Sequence, residues 1–485
     1  MTTLDPATRA DRPVARPPAD DDTRPVEPVR RRQRADGTTL LCVYCAILFL
    51  LPSHLVIAAI PLALAPSMLV GMGLGLLWFC AQLVNTVGMA KGRSLVRTSL
   101  FLFGLAQLAT YGYATYGYLP SDELNATDRS VVTIMGAMVV GIMAVDSLRG
   151  LSRIDKLLRI VVYGCVFVAV IGLIQFFFGF DPTHYLVIPG LRDVGDVNTL
   201  LERSIFRRPS GTAGHPIEFG VVCAIAVPLC AHYAFRATTH GRRSWGWWLS
   251  LAMLAMGAMV SLSRSAILGL LAAGLVLLPT WPARRQLQTL VAAALFTVLM
   301  RLFVPGLIGT LISLFSHLSG DPSIQHRTET YARASVQIAE HPWLGRGFGT
   351  YLPSRYGPVD NQYLGTLIET GFVGLAALIF VLVAGAYAAI QVRRAARDPV
   401  LRDLAQTLLA CLAVIMVADA TYDAFGFIMA TGMCFLLVGV TGALWRTIRD
   451  NPSQFIPVVG RVSTRSGVRQ AQPGSSTSAR LRGTT

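Results

Sequence analysis

Four arginine sites interrupt strongly apolar stretches of the chain: Arg207-Arg208, Arg264, Arg301 and Arg327. A guanidinium keeps its charge at any working pH and grips phosphate oxygens through paired hydrogen bonds. Held beside hydrocarbon it is costly, so a functional role is the default hypothesis. The plainer alternative is snorkelling to headgroups, which suits Arg301 at the end of an apolar run and also the Arg207-Arg208 pair. Arg264 fits that alternative least, because the turn 262–265 joining two apolar stretches is barely four residues long. For Arg327 the rival is a position on a wet helix surface.

The acid–base candidates lie in the same interruptions. His215 and His341 each precede a proline at a helix boundary. There an imidazole either accepts a proton near neutral pH or simply occupies an interfacial loop. Asp360 stands ahead of Asn361, Gln362 and Tyr363, which lead into an apolar helix carrying Glu369. Asp360 is the candidate proton acceptor; its structural alternative is to cap that helix. Glu369, two turns into the helix, needs a partner or a water-filled cavity. Tyr331, Asn361 and Tyr363 complete the expected binding set.

No His/Asp/Glu spacing matches a metal site, and Cys42-x-x-Cys45 has no second pair of ligands. The glycine run Gly345, Gly347 and Gly349 is not a dinucleotide fingerprint, since no strand precedes it. No metal or cofactor is expected.

Stretch 321–374, the longest polar interruption, must position most of these groups. Asp321-Pro322 reads as a helix start, and His341-Pro342 ends that helix near Glu340. Arg327, Tyr331, Ala334 and Ile338 then share one face at 3–4 residue spacing. Around this stretch the composition is that of a membrane protein. The 485 residues have a mean hydropathy of +0.53, and only 14% are charged. The formal charge of +15 is read as membrane topology, with no nucleic acid implied. All eight cysteines lie in apolar segments and read as buried hydrophobes.

Apolar runs long enough to span a bilayer predict an all-α bundle of about twelve helices. The expected spans are 40–60, 68–89, 98–119, 131–148, 160–180, 217–235, 245–261, 266–281, 287–303, 363–390, 404–420 and 425–445. Five alternate loops carry the arginine and lysine excess: Lys91/Arg93/Arg97, Arg149/Arg153/Lys156/Arg159, Arg236/Arg242/Arg243, Arg284/Arg285 and Arg393/Arg394/Arg397/Arg402. All fall on the side of the N-terminal cluster Arg30–Arg34, which the positive-inside rule makes cytoplasmic. The expected organisation is a disordered tail (1–37), a transmembrane domain (38–446) with extracytoplasmic loops 181–216 and 304–362, and a disordered basic tail (447–485). The candidate residues then face outward, where several guanidinium groups suit a lipid pyrophosphate.

The chain also resembles the O-antigen polymerase/ligase superfamily of bacterial membrane glycosyltransferases. The resemblance rests on RRPSGTAGHPIEFG (207–220), SLSRSAILGL (261–270), Arg327 with its Ala-rich helix, HPWLGRGFGTYLP (341–353) and DNQYLGTLIETGFVGL (360–375). It implies an inner-membrane enzyme whose donor is a polyprenyl-pyrophosphate-linked glycan. The acceptor would be a glycan or other hydroxyl, and other polysaccharide-assembly proteins are candidate partners. Arg264 and Arg327 match the arginines expected to stabilise the pyrophosphate leaving group. Lipid A-core ligases of this superfamily carry His-Asn where this chain has Asp360-Asn361. That departure favours polymerisation over ligation.

Overall fold

The computed structural model describes residues 36–84, 92–194, 202–203, 206–239, 241, 243–316 and 322–450; of these, the side chains of 202–203, 314–315 and 322–330 lie outside the description. Almost all of both expected tails, and Asp321, also lie outside it. The helices run α1 (Gly37–Leu50), α2 (Pro66–Leu83), α3 (Leu95–Tyr116), α4 (Ser121–Ser147), α5 (Leu151–Phe178), α6 (Pro216–Thr239), α7 (Trp245–Val260), α8 (Arg264–Leu277), α9 (Ala283–Phe303), α10 (Leu307–Ser316), α11 (Pro322–Glu340), α12 (Pro353–Tyr356), α13 (Gln362–Ala395), α14 (Pro399–Asp419) and α15 (Ile428–Arg449). The described residues also form two short antiparallel ribbons, β1 (Leu55–Ile57) with β2 (Leu191–Asp193) and β3 (Glu202–Arg203) with β4 (Phe206–Arg207), besides short 3-10 turns.

The protein is an all-α polytopic membrane protein. Helices α2, α4, α5, α6, α9, α13, α14 and α15 are long and apolar enough to cross a membrane, and α1, α7 and α8 are shorter apolar helices. With the 22-residue α3, these occupy the twelve expected positions. Their ends follow local rules. Asp36, Ser94 and Asp398 accept hydrogen bonds from the first turns of α1, α3 and α14, and Pro66 and Pro399 open α2 and α14.

Several boundaries depart from the sequence expectation. The first span stops at Leu50, ahead of Pro52, and the rest of 40–60 is extended enough to pair with β2. Residues 121–130, read as loop, form the first turns of α4, with Asp122 and Glu123 at its positive end. Arg284 and Arg285 belong to the first turn of α9 instead of a loop. One cysteine, Cys80, is exposed on α2; the other seven are buried.

α6 and α15 are the most enclosed spans. α6 packs on α7, α14 and α8, and α15 on α4 and α13. Phe49, Phe103, Phe219 and Phe435 fill the space between helices. α9 is the opposite case: Leu287, Leu290, Leu295 and Leu302 all point outward. An apolar helix with no packed face suits hydrocarbon on nearly every side.

Candidate functional site

The α7–α8 turn is built on a strained residue. Leu262 has φ of +50° and is fully buried. A non-glycine residue in the left-handed region needs surroundings that fix it, and such residues concentrate at functional sites. Here Ser261 Oγ donates to Ala258 O (2.7 Å) and accepts from Ser263 N (3.3 Å), so the reversal closes within three residues. Arg264 therefore opens α8, half-buried, as its first residue. Arg208 comes to the same turn, its Nε donating to Ser261 O at 3.2 Å.

His215 lies just ahead of α6, where its Nδ1 accepts from Ile217 N at 3.2 Å. Burial, then the neighbouring Arg208 charge, push its pKa down to about 4. The ring is thus neutral, with its proton on Nε2. Its one basic nitrogen is already engaged, so the expectation of a proton acceptor gives way to that of a hydrogen-bond donor.

These pieces meet at the α14–α15 loop, Thr421–Phe427. Thr421 Oγ1 donates to Ser265 Oγ of α8 (2.8 Å). Tyr422 O accepts from Gln362 N (3.1 Å), and Gln362 Oε1 accepts in turn from Phe425 N (2.7 Å), which fixes the start of α13. Glu218 of α6 accepts from Met429 N, Ala430 N and Gly214 N. The ring of Phe427 lies 5.7 Å from both His215 and Tyr422. Sequence reasoning passed over this loop as a short connector. Its signal was there: Asp419, Thr421, Tyr422 and Asp423 crowd one short gap between two spans.

Asn361, not Asp360, caps α13: its Oδ1 accepts from Tyr363 N (3.0 Å) and Leu364 N (3.2 Å). Its Nδ2 donates to Tyr331 Oη of α11 (3.4 Å). Asn361 is therefore structural, and the capping alternative for Asp360 is removed. Asp360 instead bears on Asp423. Burial, followed by the Asp360 charge, pushes the Asp423 carboxyl up to about 6 against one opposing hydrogen bond from Gly426 N. Asp419 is buried one turn away, its Oδ2 without a hydrogen-bond partner, on a small cavity shared with Tyr422, Thr431 and Cys434.

α13 is broken at Gly371 (φ +64°, ψ −167°). The loop from His341 satisfies the groups that the break exposes. Phe372 N and Val373 N donate to Pro342 O (2.8 Å) and Trp343 O (3.2 Å). Arg346 N and Gly347 N donate to Ile368 O (3.2 Å) and Glu369 O (2.9 Å). A Cβ at Gly371 would strike the Trp343 carbonyl, so both the dihedral and the approach require glycine. The Glu369 carboxylate accepts from Tyr351 N (3.3 Å); its partner is this loop.

A second buried network anchors the loop. Glu123 of α4 accepts from Arg346 Nη2 (3.1 Å), Arg355 Nη1 (2.7 Å) and Tyr356 Oη (2.8 Å), while Arg346 Nη1 reaches Gln337 of α11 (2.9 Å). Ala334 and Ile338 pack α11 against Tyr351, Val359 and Ile368.

The remaining expected residues separate. Tyr363 donates from Oη to Met416 O (2.9 Å) and so ties α13 to α14. Tyr331 meets Asn361 and is otherwise exposed. Position 327 lies one turn earlier on the same face of α11, and its side chain is outside the described residues. Arg207 is exposed, its guanidinium against Gly179 at the C-terminal end of α5, where a cation complements the helix dipole. Arg301 is exposed on α9 with no ion pair among the described residues, which is the snorkelling alternative. His341 faces Tyr113 of α3, Nδ1 to Oη 3.5 Å. The structure thus joins Arg208, His215 and Arg264 through the Ser261–Ser265 turn to the loop carrying Asp423, and through it to Asp360. It does not bring Arg207 or Arg301 to that turn, and it gives Asn361 the role of cap to α13.

Residues 249–379 match the O-antigen ligase family. The matched segment runs from α7 into α13 and contains Arg264, position 327, Asp360 and the break at Gly371. The match supports the O-antigen polymerase/ligase superfamily, with a ligase- or polymerase-type function, a lipid-linked glycan and a bilayer setting. No curated protein matches the chain.

Proposed function

We propose that the chain is an outward-facing glycosyltransferase that polymerises glycans carried on a polyprenyl pyrophosphate. The observation that carries this reading is the chain of contacts joining one turn to one loop: Arg208 on Ser261 O beside Arg264, Ser265 on Thr421, and Asp423 within reach of the Asp360 charge.

An acceptor hydroxyl attacks the anomeric carbon of the donor, and its oxygen forms the new glycosidic bond. The bond from that carbon to the pyrophosphate oxygen breaks, and the electron pair leaves with the phosphate. Arg264 and Arg208, preorganised at the turn, stabilise the charge that develops there, with Arg327 as a third cation from α11. The neutral His215 offers its Nε2–H to a phosphate or sugar oxygen. The Asp360–Asp423 pair takes the hydroxyl proton. A base with a pKa near 6 is ionised at neutral pH yet still basic enough to help.

The break in α13 invites a second reading, transport of the lipid-linked glycan, because broken helices line the substrate sites of transporters. Here the break is closed by the Pro342–Gly347 backbone, and it lies nine residues, or about 13 Å, from the start of α13. Both facts favour an enzyme.

The test is complementation of a deletion strain with wild type, Arg264→Ala or Asp360→Ala at equal protein level. Single carrier-linked repeat units should accumulate facing outward, on the outer leaflet, in the strains lacking activity. Full-length carrier-linked chains would identify a ligase, and units trapped on the cytoplasmic side a flippase. Wild-type polymer from both variants would remove these residues from the mechanism.

A further inference from the structure

At the end of the bundle opposite Arg264, α13 and α14 form an open pocket of about 370 Å³ lined by Ile390, Arg393, Arg394, Arg402, Gln406 and Leu409. That volume is within the range of small-ligand sites. Three guanidinium groups line it and no carboxylate does. Arg394 and Arg402 are exposed, and neither has an ion pair among the described residues.

Arg393 and Arg394 have a structural explanation, since cations in the last turn of α13 complement its dipole. Arg402 fits the charge pattern of that side of the membrane but not the dipole of its own helix: it sits in the first turns of α14, where the only acidic group of the helix start is the cap Asp398. Three guanidinium groups around one pocket add to a positive potential that a bound anion offsets. The pocket is also built instead of being a loose fringe. Arg393 Nη1 donates to Gln406 Oε1 (2.7 Å), and Gln406 Nε2 donates to Val276 O of α8 (2.6 Å). Ile390 and Leu409 give the pocket an apolar side beside its arginines, as a ligand with both a charged and a hydrocarbon part requires.

We propose that this pocket binds the phosphate headgroup of an anionic phospholipid from the leaflet at that end of the bundle. Basic pockets between spans are a recognised mode of headgroup capture. Arg393, Arg394 and Arg402 hold the phosphate oxygens, and the acyl chains run along Ile390 and Leu409.

The experiment uses the full-length protein, purified in detergent, with native mass spectrometry and thermal unfolding. Titration with phosphatidylglycerol should retain one lipid per chain and raise the unfolding temperature, whereas phosphatidylcholine should do neither. Arg394→Gln/Arg402→Gln should weaken retention by roughly fivefold per charge removed, and Arg397→Gln, in the same segment but outside the pocket, should leave it unchanged. Arg394→Lys/Arg402→Lys keeps the net charge and should retain part of the binding, should the glutamine variant fail to fold. Equal retention of the two lipids by wild type overturns the proposal. So does undiminished retention by the glutamine variant. Stabilisation by inorganic phosphate matching that by the lipid overturns the lipid assignment and leaves a free-anion site.

Discussion

The two ends of α14 handle partly or fully buried carboxylates in opposite ways. Near its start, Asp403 is compensated on both oxygens: Oδ2 lies 2.5 Å from His232 Nδ1, and Oδ1 accepts from Arg285 Nη1 at 2.7 Å. The Arg285 guanidinium is itself stacked over Trp281 (3.9 Å) and Phe235 (4.0 Å). At its far end, Asp419 and the following Asp423 have no ion pair among the described residues, and Asp423 faces the charge of Asp360. A compensated carboxylate ties helices together. Carboxylates gathered in one buried loop raise one another's proton affinity, and a fold retains that arrangement where it serves a site. Glu123, bonded to two arginines and a tyrosine, belongs with Asp403.

Substitution should separate the two ends cleanly. Asp360→Asn and Asp423→Asn should each reduce glycan transfer by about 10²–10⁴-fold, the usual range for losing a general base. Asp423→Asn should not lower the unfolding temperature at neutral pH, because it removes a charge that faces Asp360. If activity survives both changes, the pair is no base and the comparison loses its functional half. Asp403→Ala should do the reverse. It leaves the Arg285 charge and the His232 ring unpartnered in the bundle and should cost about 3–5 kcal/mol, with transfer per folded molecule preserved. Loss of transfer without loss of stability would show that the compensated end is more than architecture. Glu123→Gln keeps its shape and some hydrogen bonds, so a smaller destabilisation of about 1–3 kcal/mol is expected, again read by thermal unfolding.

This division was only partly legible in the sequence. Apolar run length gave the twelve helical positions, because spanning a bilayer constrains length and composition strongly. The limits of α11 were legible too, since Pro322 and Pro342 act through local sterics. What could not be read was pairing over distance. Glu123 finds Arg346 and Arg355 across more than 220 positions, and Asp403 finds His232 across 171. Arg285 looked like a topology charge and proved to be a buried partner. Asn361 looked like a binding group and proved to be the cap, because which of two adjacent polar residues caps depends on one backbone dihedral. The break at Gly371 depends on a loop some twenty-five residues earlier, and helical periodicity carries no trace of it.

The finest discrimination comes from pH. Asp423 is raised from an ordinary carboxylate value of 3.8 to about 6, so between those limits the folded protein binds a proton that the unfolded chain has released. Stability contributed by this group is therefore greatest at low pH and declines as pH rises from about 4 to about 6. Transfer should run the other way, rising with pH through about 6 as the base ionises. His215, lowered from 6.5 to about 4, is neutral around pH 6 and adds no step to the activity profile there, but it contributes stability that rises with pH from about 4 to about 6.5. Relative to wild type, Asp423→Asn should shift the slope of unfolding temperature against pH upward between pH 4 and 6, because only the opposing His215 contribution remains, whereas Asp403→Ala should keep the wild-type slope on a lower baseline. An unchanged slope in Asp423→Asn would mean that Asp423 is not the carboxylate held in its protonated form, and the contrast between the two ends of α14 would then rest on Asp419 or Asp360.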